Sequence, residues 1–152
     1  MSTITSLLSL DNPVFTAYVF YACVLVLKTL FMVALIGRYR WTKLIFISPE
    51  DAKFTTNATC ANDDPDIERC RRAHLNDLEN IPAFLFVALF YVLTDPKDFI
   101  ALNLFRLFTL ARFIHTFVYA VIVVPQPARV ISWAIGFIIT IYISVATAIY
   151  FF

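Results

Sequence analysis

The side chains in this sequence best suited to chemistry are polar residues that recur at helical spacing inside long apolar stretches. Arg72, Asn76 and Glu79 stand at positions i, i+4 and i+7, with Glu68 and Arg69 beside them. This spacing predicts that they share one face of a helix. Guanidinium, amide and carboxylate groups on one face can bind the charged groups of a small molecule.

A second polar group follows further along the chain. Arg112, His115 and Tyr119 stand at i, i+3 and i+7, again on one helical face. Two polar faces in an apolar bundle are expected to meet, because ionisable groups at membrane depth need partners or solvation inside the protein. We therefore predict a polar pocket between the two helices, with Arg129 close by.

The same pattern admits a purely structural interpretation, in which the charges form salt bridges that fix helix packing. Glu79 and Arg112 would be the natural pair. The arginines outnumber the nearby carboxylates, however, and this surplus favours an anionic ligand held by bidentate contacts. Arg106 stands apart from both faces and suits a packing or subunit-contact charge.

The composition indicates whether the elements that carry these residues lie in water or in lipid. Hydrophobic residues make up 61% of the 152-residue chain, charged residues 15%, and the mean hydropathy is +0.78. Such an excess of apolar surface must face lipid. The net charge of +1 gives no indication of a nucleic-acid partner. We predict one domain over residues 1–152, all-α and embedded in a membrane.

Three apolar segments are long enough to be membrane spans, at Pro13–Gly37, Asp98–Val124 and Val130–Phe152. The remaining apolar segment, Ile81–Thr94, is too short by itself, so we expect one helix over residues 65–94 whose first half stands outside the lipid or lines a polar cavity. Short turns at 95–97 and 125–127 predict that spans two, three and four are antiparallel neighbours in a four-helix bundle. Residues 38–64 form a long polar loop.

The basic residues predict the orientation. Seven Lys or Arg lie between Arg38 and Arg72, which places this side in the cytosol and both termini across the membrane. The sequon at Asn57 is then accidental. The three cysteines match neither a disulfide framework nor a metal-ligand pattern, so free thiols and no bound metal are expected.

Longer motifs add a family resemblance. The segment ERCRRAHLNDLENIP (68–82) resembles the signature of the MAPEG family, the membrane-associated proteins in eicosanoid and glutathione metabolism. SPED (48–51), ARFIHT (111–116) and PQPAR (125–129) are similar to the same family. Within it, the chain looks closest to the microsomal glutathione transferases of type one, arthropod-like in places, and next to the microsomal prostaglandin E synthases.

The resemblance implies a homotrimer that binds glutathione between neighbouring subunits, near the cytosolic side of the endoplasmic reticulum or the mitochondrial outer membrane. It assigns glutathione contacts to Arg40, Arg72, Asn76, Glu79, His115, Tyr119 and Arg129. Asp51 is similar to a family acidic residue near the thiol. We add the hypothesis that Arg129 stabilises the thiolate, so Arg129 and Asp51 are the predicted catalytic residues.

The implied activity is conjugation of glutathione to hydrophobic electrophiles from the bilayer, with reduction of lipid hydroperoxides as a further activity. An apolar acceptor site would lie between spans one and four. Prostaglandin E synthesis is an alternative, weakened because Leu75 and Val130 replace the Arg and Ser of that pattern. Ala52 stands where type-one transferases often have an activating Cys. A non-catalytic scaffold and a small transporter are the remaining alternatives.

Overall fold

The computed structural model describes residues 3–152 and is dominated by four long helices. They are α1 (Pro13–Lys43), α2 (Pro65–Val92), α3 (Asp98–Thr116) and α4 (Ala128–Phe151), and α3 continues into a π-helical turn at Phe117–Val121. All four are long and apolar enough to cross a membrane. The prediction of an all-helical, multi-pass membrane protein with four spans is confirmed.

Two of the helices begin at side-chain caps. Asn12 precedes Pro13, and its Oδ1 accepts hydrogen bonds from two backbone N–H groups of the first turn, the shorter at 2.9 Å. Asp64 precedes Pro65 in the same way, and its Oδ1 accepts two backbone N–H groups at 3.1 Å. A capping oxygen followed by proline at the first helical position starts a helix because proline lacks the N–H that would be unpaired there.

The largest differences from the sequence-based boundaries are at the ends of α1 and α3. α1 runs six residues beyond Gly37 because no helix-breaking residue follows, and it ends at Leu44, whose φ is 55°. α3 and its π-helical turn end at Val121, three residues before the expected Val124, because Ile122 is extended. The first polar residues of the expected loop, from Arg38 onward, are therefore helical.

The rest of the connection between α1 and α2 is also ordered. Strand β1 (Ile45–Phe46) pairs in parallel with β2 (Thr59–Cys60), and one helical turn lies between them at Pro49–Ala52. A further helical turn, Ile4–Leu7, precedes α1. The strand pair holds the long connection against the end of α1.

The helices pack in the cyclic order α1, α2, α4, α3, so α2 and α3 lie diagonally opposite each other. The expectation that spans two and three pack side by side was wrong, because α1 and α4 lie between them. The short turn between them brings only their adjoining ends together, and α1 and α4 fill the spaces on either side. Residues of α2 and α3 can still meet, but only at the centre of the bundle.

Apolar stripes on the helices form two separate buried clusters. One includes Leu25, Phe84 and Phe108, and the Phe84 and Phe108 rings stack with centroids 3.6 Å apart. The other, nearer the connection between α1 and α2, includes Met32 and Cys70. The clusters are separated along α1, α2 and α3 by a layer of charged residues described below.

Much of the apolar surface stays outside this core. Only 17% of the most apolar 18-residue stretch of α4, and 22% of that of α1, is buried within the chain. The remaining surface is available to lipid or to other protein chains, because exposing so much apolar surface to water is unfavourable.

We predict that the junction of α1 and α2 has an acid-sensitive contribution from Asp64. The Lys43 ammonium, 2.9 Å from both carboxylate oxygens, holds the pKa of Asp64 below its ordinary 3.8. A lowered folded-state pKa stabilises the fold above the unfolded pKa, and this contribution disappears as the pH falls through the folded value. The difference in thermal midpoint between the wild type and Asp64→Asn should therefore shrink below about pH 4.

Asparagine keeps the helix cap but does not titrate, so the comparison isolates the charge. Asp63→Asn is the matched control, because Asp63 forms no ion pair within the described residues 3–152. A wild-type advantage over Asp64→Asn that persists unchanged at low pH would contradict the prediction.

Candidate functional site

A charged layer of Lys28, Asp77 and Arg112 occupies the centre of the bundle. The Asp77 carboxylate accepts hydrogen bonds from the Lys28 ammonium through Oδ2 and from Arg112 Nη2 through Oδ1, the latter at 2.6 Å. Arg112 Nε also donates to Oδ1, at 3.2 Å, and Thr116 Oγ1 donates to Oδ2 at 3.5 Å. One carboxylate thus joins α1, α2 and α3, and all three charged residues are buried.

Arg112 extends this layer toward other polar residues. Its Nη2 donates to Asn76 Oδ1 at 2.8 Å and lies 3.5 Å from His115 Nδ1. On α4, Gly136 leaves room for the guanidinium stem: a Cβ at that position would lie 3.7 Å from Arg112 Cδ. Arg112 on α3 therefore contacts α2 and α4 directly and is joined to α1 through Asp77, and its position fixes those of Asn76 and His115.

The expected pair of Glu79 and Arg112 was wrong. Arg112 is fully buried and held by Asp77, whereas Glu79 points into a cavity. Asp77 lies on the buried stripe of α2, and its carboxylate reaches the bundle centre directly. Glu79, two residues further along α2, lies on a nearly opposite face of the helix and does not.

The cavity that includes Glu79 has a volume of about 480 Å³, and we call it the polar pocket. It lies at the end of the bundle where α2 and α4 begin and α3 ends. Its lining residues are Arg72, Leu75, Asn76, Glu79, His115, Tyr119, Gln126, Arg129, Val130 and Trp133. The structure thus brings together six of the eight site residues predicted from the sequence.

The charges in the polar pocket are not neutralised by the protein. Among the described residues 3–152, neither Arg72 nor Arg129 forms an ion pair, and Glu79 has no basic partner. The Arg129 guanidinium lies over the Tyr119 ring, 4.7 Å from its centroid, and its buried Nε has no hydrogen-bond partner within the same residues. The pocket therefore offers two cationic groups and one anionic group to a ligand.

His115 links this pocket to the charged layer. Its ring packs edge-on against Tyr119, with centroids 5.5 Å apart, and its Nδ1 faces Arg112. A continuous chain of contacts therefore runs from Asp77 through Arg112 and His115 to Tyr119 and Arg129.

The other two predicted site residues, Arg40 and Asp51, lie elsewhere. They line a separate cavity of about 510 Å³ with Trp41, Phe46 and Phe54, formed by the end of α1 and its connection to α2. Asp51 accepts a 2.5 Å hydrogen bond from Ser48. Both cavities lie at the same end of the bundle, but within one chain they do not merge.

Sequence reasoning missed the role of Lys28 and Asp77, although a signal was present. Lys28 falls between Leu25 and Met32 on the buried stripe of α1, and Asp77 falls between Ala73 and Ile81 on that of α2. A charge on a stripe that packs inward needs a counter-ion. One lysine and one aspartate of this kind on different helices could have been paired.

An apolar cavity of about 460 Å³ lies between α1 and α3, on the other side of the charged layer. Phe31, Phe113 and Phe117 contribute to its walls, and Lys28 and Thr116 also line it. None of these cavities of residues 3–152 lies between spans one and four, where the acceptor site is expected, because α1 and α4 are diagonally opposite.

We predict that substitutions in the charged layer have unequal effects on stability. Asp77→Asn leaves two buried cations without a counter-ion and should lower the free energy of unfolding by about 3–5 kcal/mol. Lys28→Met leaves the balanced pair of Asp77 and Arg112 and should cost about 1 kcal/mol or less. Equilibrium unfolding in mixed detergent micelles measures both, and equal losses would refute the central position of Asp77.

Comparison with known proteins agrees with the motifs. The MAPEG family profile matches residues 18–149. Microsomal glutathione S-transferase 1 of Homo sapiens is 39% identical over 136 residues, 87% of each chain, and that of Sus scrofa is 39% identical over 145 residues, 93% of this chain and 92% of the relative. Prostaglandin E synthase of Macaca fascicularis is 37% identical over 112 residues, 74% of each chain. Because the profile and these relatives match most of its length, the chain belongs to the MAPEG family.

Proposed function

We propose that this protein is a membrane-bound glutathione transferase that conjugates glutathione to hydrophobic electrophiles. The observation that carries the proposal is the charge pattern of the polar pocket, where Arg72, Arg129 and Glu79 form no ion pair within the described residues 3–152. Glutathione carries two carboxylates and one ammonium, so the pocket and the tripeptide have complementary charges. The names of the transferase relatives support the same activity.

The binding roles follow from the chemistry of each group. Guanidinium groups bind carboxylates with paired N–H donors, which suits Arg72 to an end of the tripeptide. The Glu79 carboxylate suits the ammonium. Asn76 and His115 are held by Arg112 and can donate or accept hydrogen bonds without first being ordered.

Catalysis requires the thiolate form of glutathione. A free thiol has a pKa of about 8.5, so only ~3% is ionised at pH 7. A nearby guanidinium favours the charged form, and a pKa lower by about two units, equivalent to roughly 2.7 kcal/mol, would make thiolate the main species. Arg129 is suited to this role because Tyr119 holds its guanidinium at the pocket and its Nε has no hydrogen-bond partner within residues 3–152.

The thiolate then attacks the electrophilic carbon. With a chloronitrobenzene, the S–C bond forms, the C–Cl bond breaks and chloride leaves with the electron pair. Leu75, Val130 and Trp133 give the pocket an apolar wall against which a hydrophobic substrate can pack. Reduction of lipid hydroperoxides by the same thiolate is a compatible second activity.

Prostaglandin E synthesis is the alternative enzyme function, favoured by the similarity to relatives of that name. Val130 lines the polar pocket at the position where the resemblance would place a serine, so the pocket lacks that hydroxyl. Leu75 likewise stands at its wall in place of an arginine. A non-catalytic scaffold would not need the unpaired charges in the pocket.

We further propose that the functional unit is a homotrimer in which each chain forms one domain. It lies in the endoplasmic reticulum membrane or the mitochondrial outer membrane, with the polar pocket facing the cytosol. Arg40 and Asp51 would then approach the polar pocket of a neighbouring subunit. Their separate cavity at the same end of the bundle is consistent with a site completed between chains.

The activity is tested with purified protein in detergent, glutathione and one of three substrates: 1-chloro-2,4-dinitrobenzene, a lipid hydroperoxide or a prostaglandin endoperoxide. We expect conjugation of the chloronitrobenzene. Turnover of the endoperoxide alone would favour the synthase. Glutathione binding without turnover of any substrate would favour the scaffold.

We predict that Arg129→Leu raises the pKa of bound glutathione toward that of the free thiol, by about two units. The ultraviolet absorbance of the thiolate, measured against pH with saturating glutathione, gives this value directly. Arg71→Leu is the control, because Arg71 pairs with Glu68 and does not line the pocket. An unchanged thiol pKa in Arg129→Leu, with glutathione still bound, would remove Arg129 from this role.

We predict that two inactive variants complement each other when co-expressed. Arg40→Ala would impair the part of the site contributed by one subunit, and Arg129→Leu the part contributed by its neighbour. In randomly mixed trimers, about a quarter of the sites would combine two intact halves and regain activity. Activity no greater than the sum of the separate variants would show that each site is built from one chain.

A further inference from the structure

Arg106 is a charged residue that the glutathione site does not use. It lies eight residues into α3, about 12 Å along the helix axis and at the end of the bundle opposite the polar pocket. Its side chain is exposed, and it forms no ion pair or hydrogen bond with any residue in 3–152. An unpaired guanidinium at this depth in a membrane span is costly and calls for an anionic partner.

The side chain lines an outer groove of about 590 Å³ between α1 and α3. Most of the groove wall is apolar or aromatic, with Ala17, Phe20 and Leu102 among its residues. Phe20 and Leu10 in the groove are 60% and 80% exposed within the chain. These walls suit an acyl chain, because they lie along helices that cross the membrane.

A second charge lies in the same groove. Asp11, just before α1, is exposed and has no basic partner among the described residues; its carboxylate accepts only the Ser9 hydroxyl, at 3.2 Å. The groove therefore combines one cationic and one anionic group with walls that are largely apolar. Asp11 lies nearer the membrane boundary than Arg106.

We propose that this outer groove binds one zwitterionic glycerophospholipid. The Arg106 guanidinium holds the phosphate, because a long arginine side chain can extend toward the headgroup region while its stem stays in hydrocarbon. Asp11 lies where the amine or choline group extends toward water. Tyr21, edge-on to Phe20 at 5.1 Å, adds an aromatic surface at the same level.

The charge pair distinguishes this ligand from the alternatives. An anionic lipid would satisfy Arg106 but place its extra charge near Asp11. A carboxylate from another subunit would neutralise Arg106 and leave Asp11 and the apolar groove unused. A free phosphate or headgroup would gain nothing from the walls.

The experiment uses the full chain reconstituted in nanodiscs of equal parts phosphatidylcholine and phosphatidylglycerol, followed by native mass spectrometry of retained lipids. The wild type should retain phosphatidylcholine preferentially. Arg106→Gln should reduce its retention about tenfold, because one charge-assisted contact is lost. Lys97→Gln, which removes a charge at the same end but outside the groove, should retain phosphatidylcholine like the wild type.

Asp11→Asn is the second variant. Because Asp11 is exposed and precedes α1, we expect this variant to fold. It should retain lipid but lose the preference for phosphatidylcholine over phosphatidylglycerol. Glycerophosphocholine, added alone to the detergent-solubilised wild type, should show no binding, because it lacks acyl chains. Glutathione binding at the opposite end should be unchanged in Arg106→Gln, which verifies its fold.

Equal phosphatidylcholine retention by the wild type and Arg106→Gln would overturn the proposal. An Asp11→Asn protein with the wild-type lipid preference would overturn the assignment of a zwitterionic headgroup, and it decides the matter if Arg106→Gln does not fold. A change in subunit number in Arg106→Gln with unchanged lipid retention would identify Arg106 as a subunit contact instead.

Discussion

The structure depends on the Asp77 carboxylate at the centre of the bundle. It accepts hydrogen bonds from Lys28 on α1 and from Arg112 and Thr116 on α3, and so connects three helices whose packing is otherwise apolar. In hydrocarbon, the hydrophobic effect does not drive helices together, so packing and polar contacts must specify their arrangement. The charged layer also separates two apolar clusters, and this fixes the positions of α1, α2 and α3 along the bundle axis.

The same carboxylate connects architecture to the site. Arg112 is held by Asp77, and its remaining contacts go to Asn76 and His115, which line the polar pocket. A buried ion cluster is weak evidence for stability, because removing charges from water is costly. Its position here suggests that it orients the first residues a ligand would meet.

The two ends of the bundle differ in how their charges are arranged. At the polar pocket, two arginines and a glutamate converge on a cavity of suitable size for a charged tripeptide. At the opposite end, Arg106 and Asp11 face outward along an apolar groove. Charges that converge inward suit a ligand from water, whereas charges beside exposed apolar walls suit a ligand from the bilayer.

The sequence by itself determined the four spans, the helix starts at Pro13 and Pro65, and the residues of the two polar faces, because apolar length, capping chemistry and helical periodicity are local properties. Only the tertiary structure decided which faces meet. The diagonal placement of α2 and α3 pairs Arg112 with Asp77 rather than Glu79, and this leaves Glu79 free for the pocket. The tertiary structure also places Arg40 and Asp51 in a separate cavity. The sequence could not show this, because helix order and the path of a long connection depend on contacts between residues far apart in the chain.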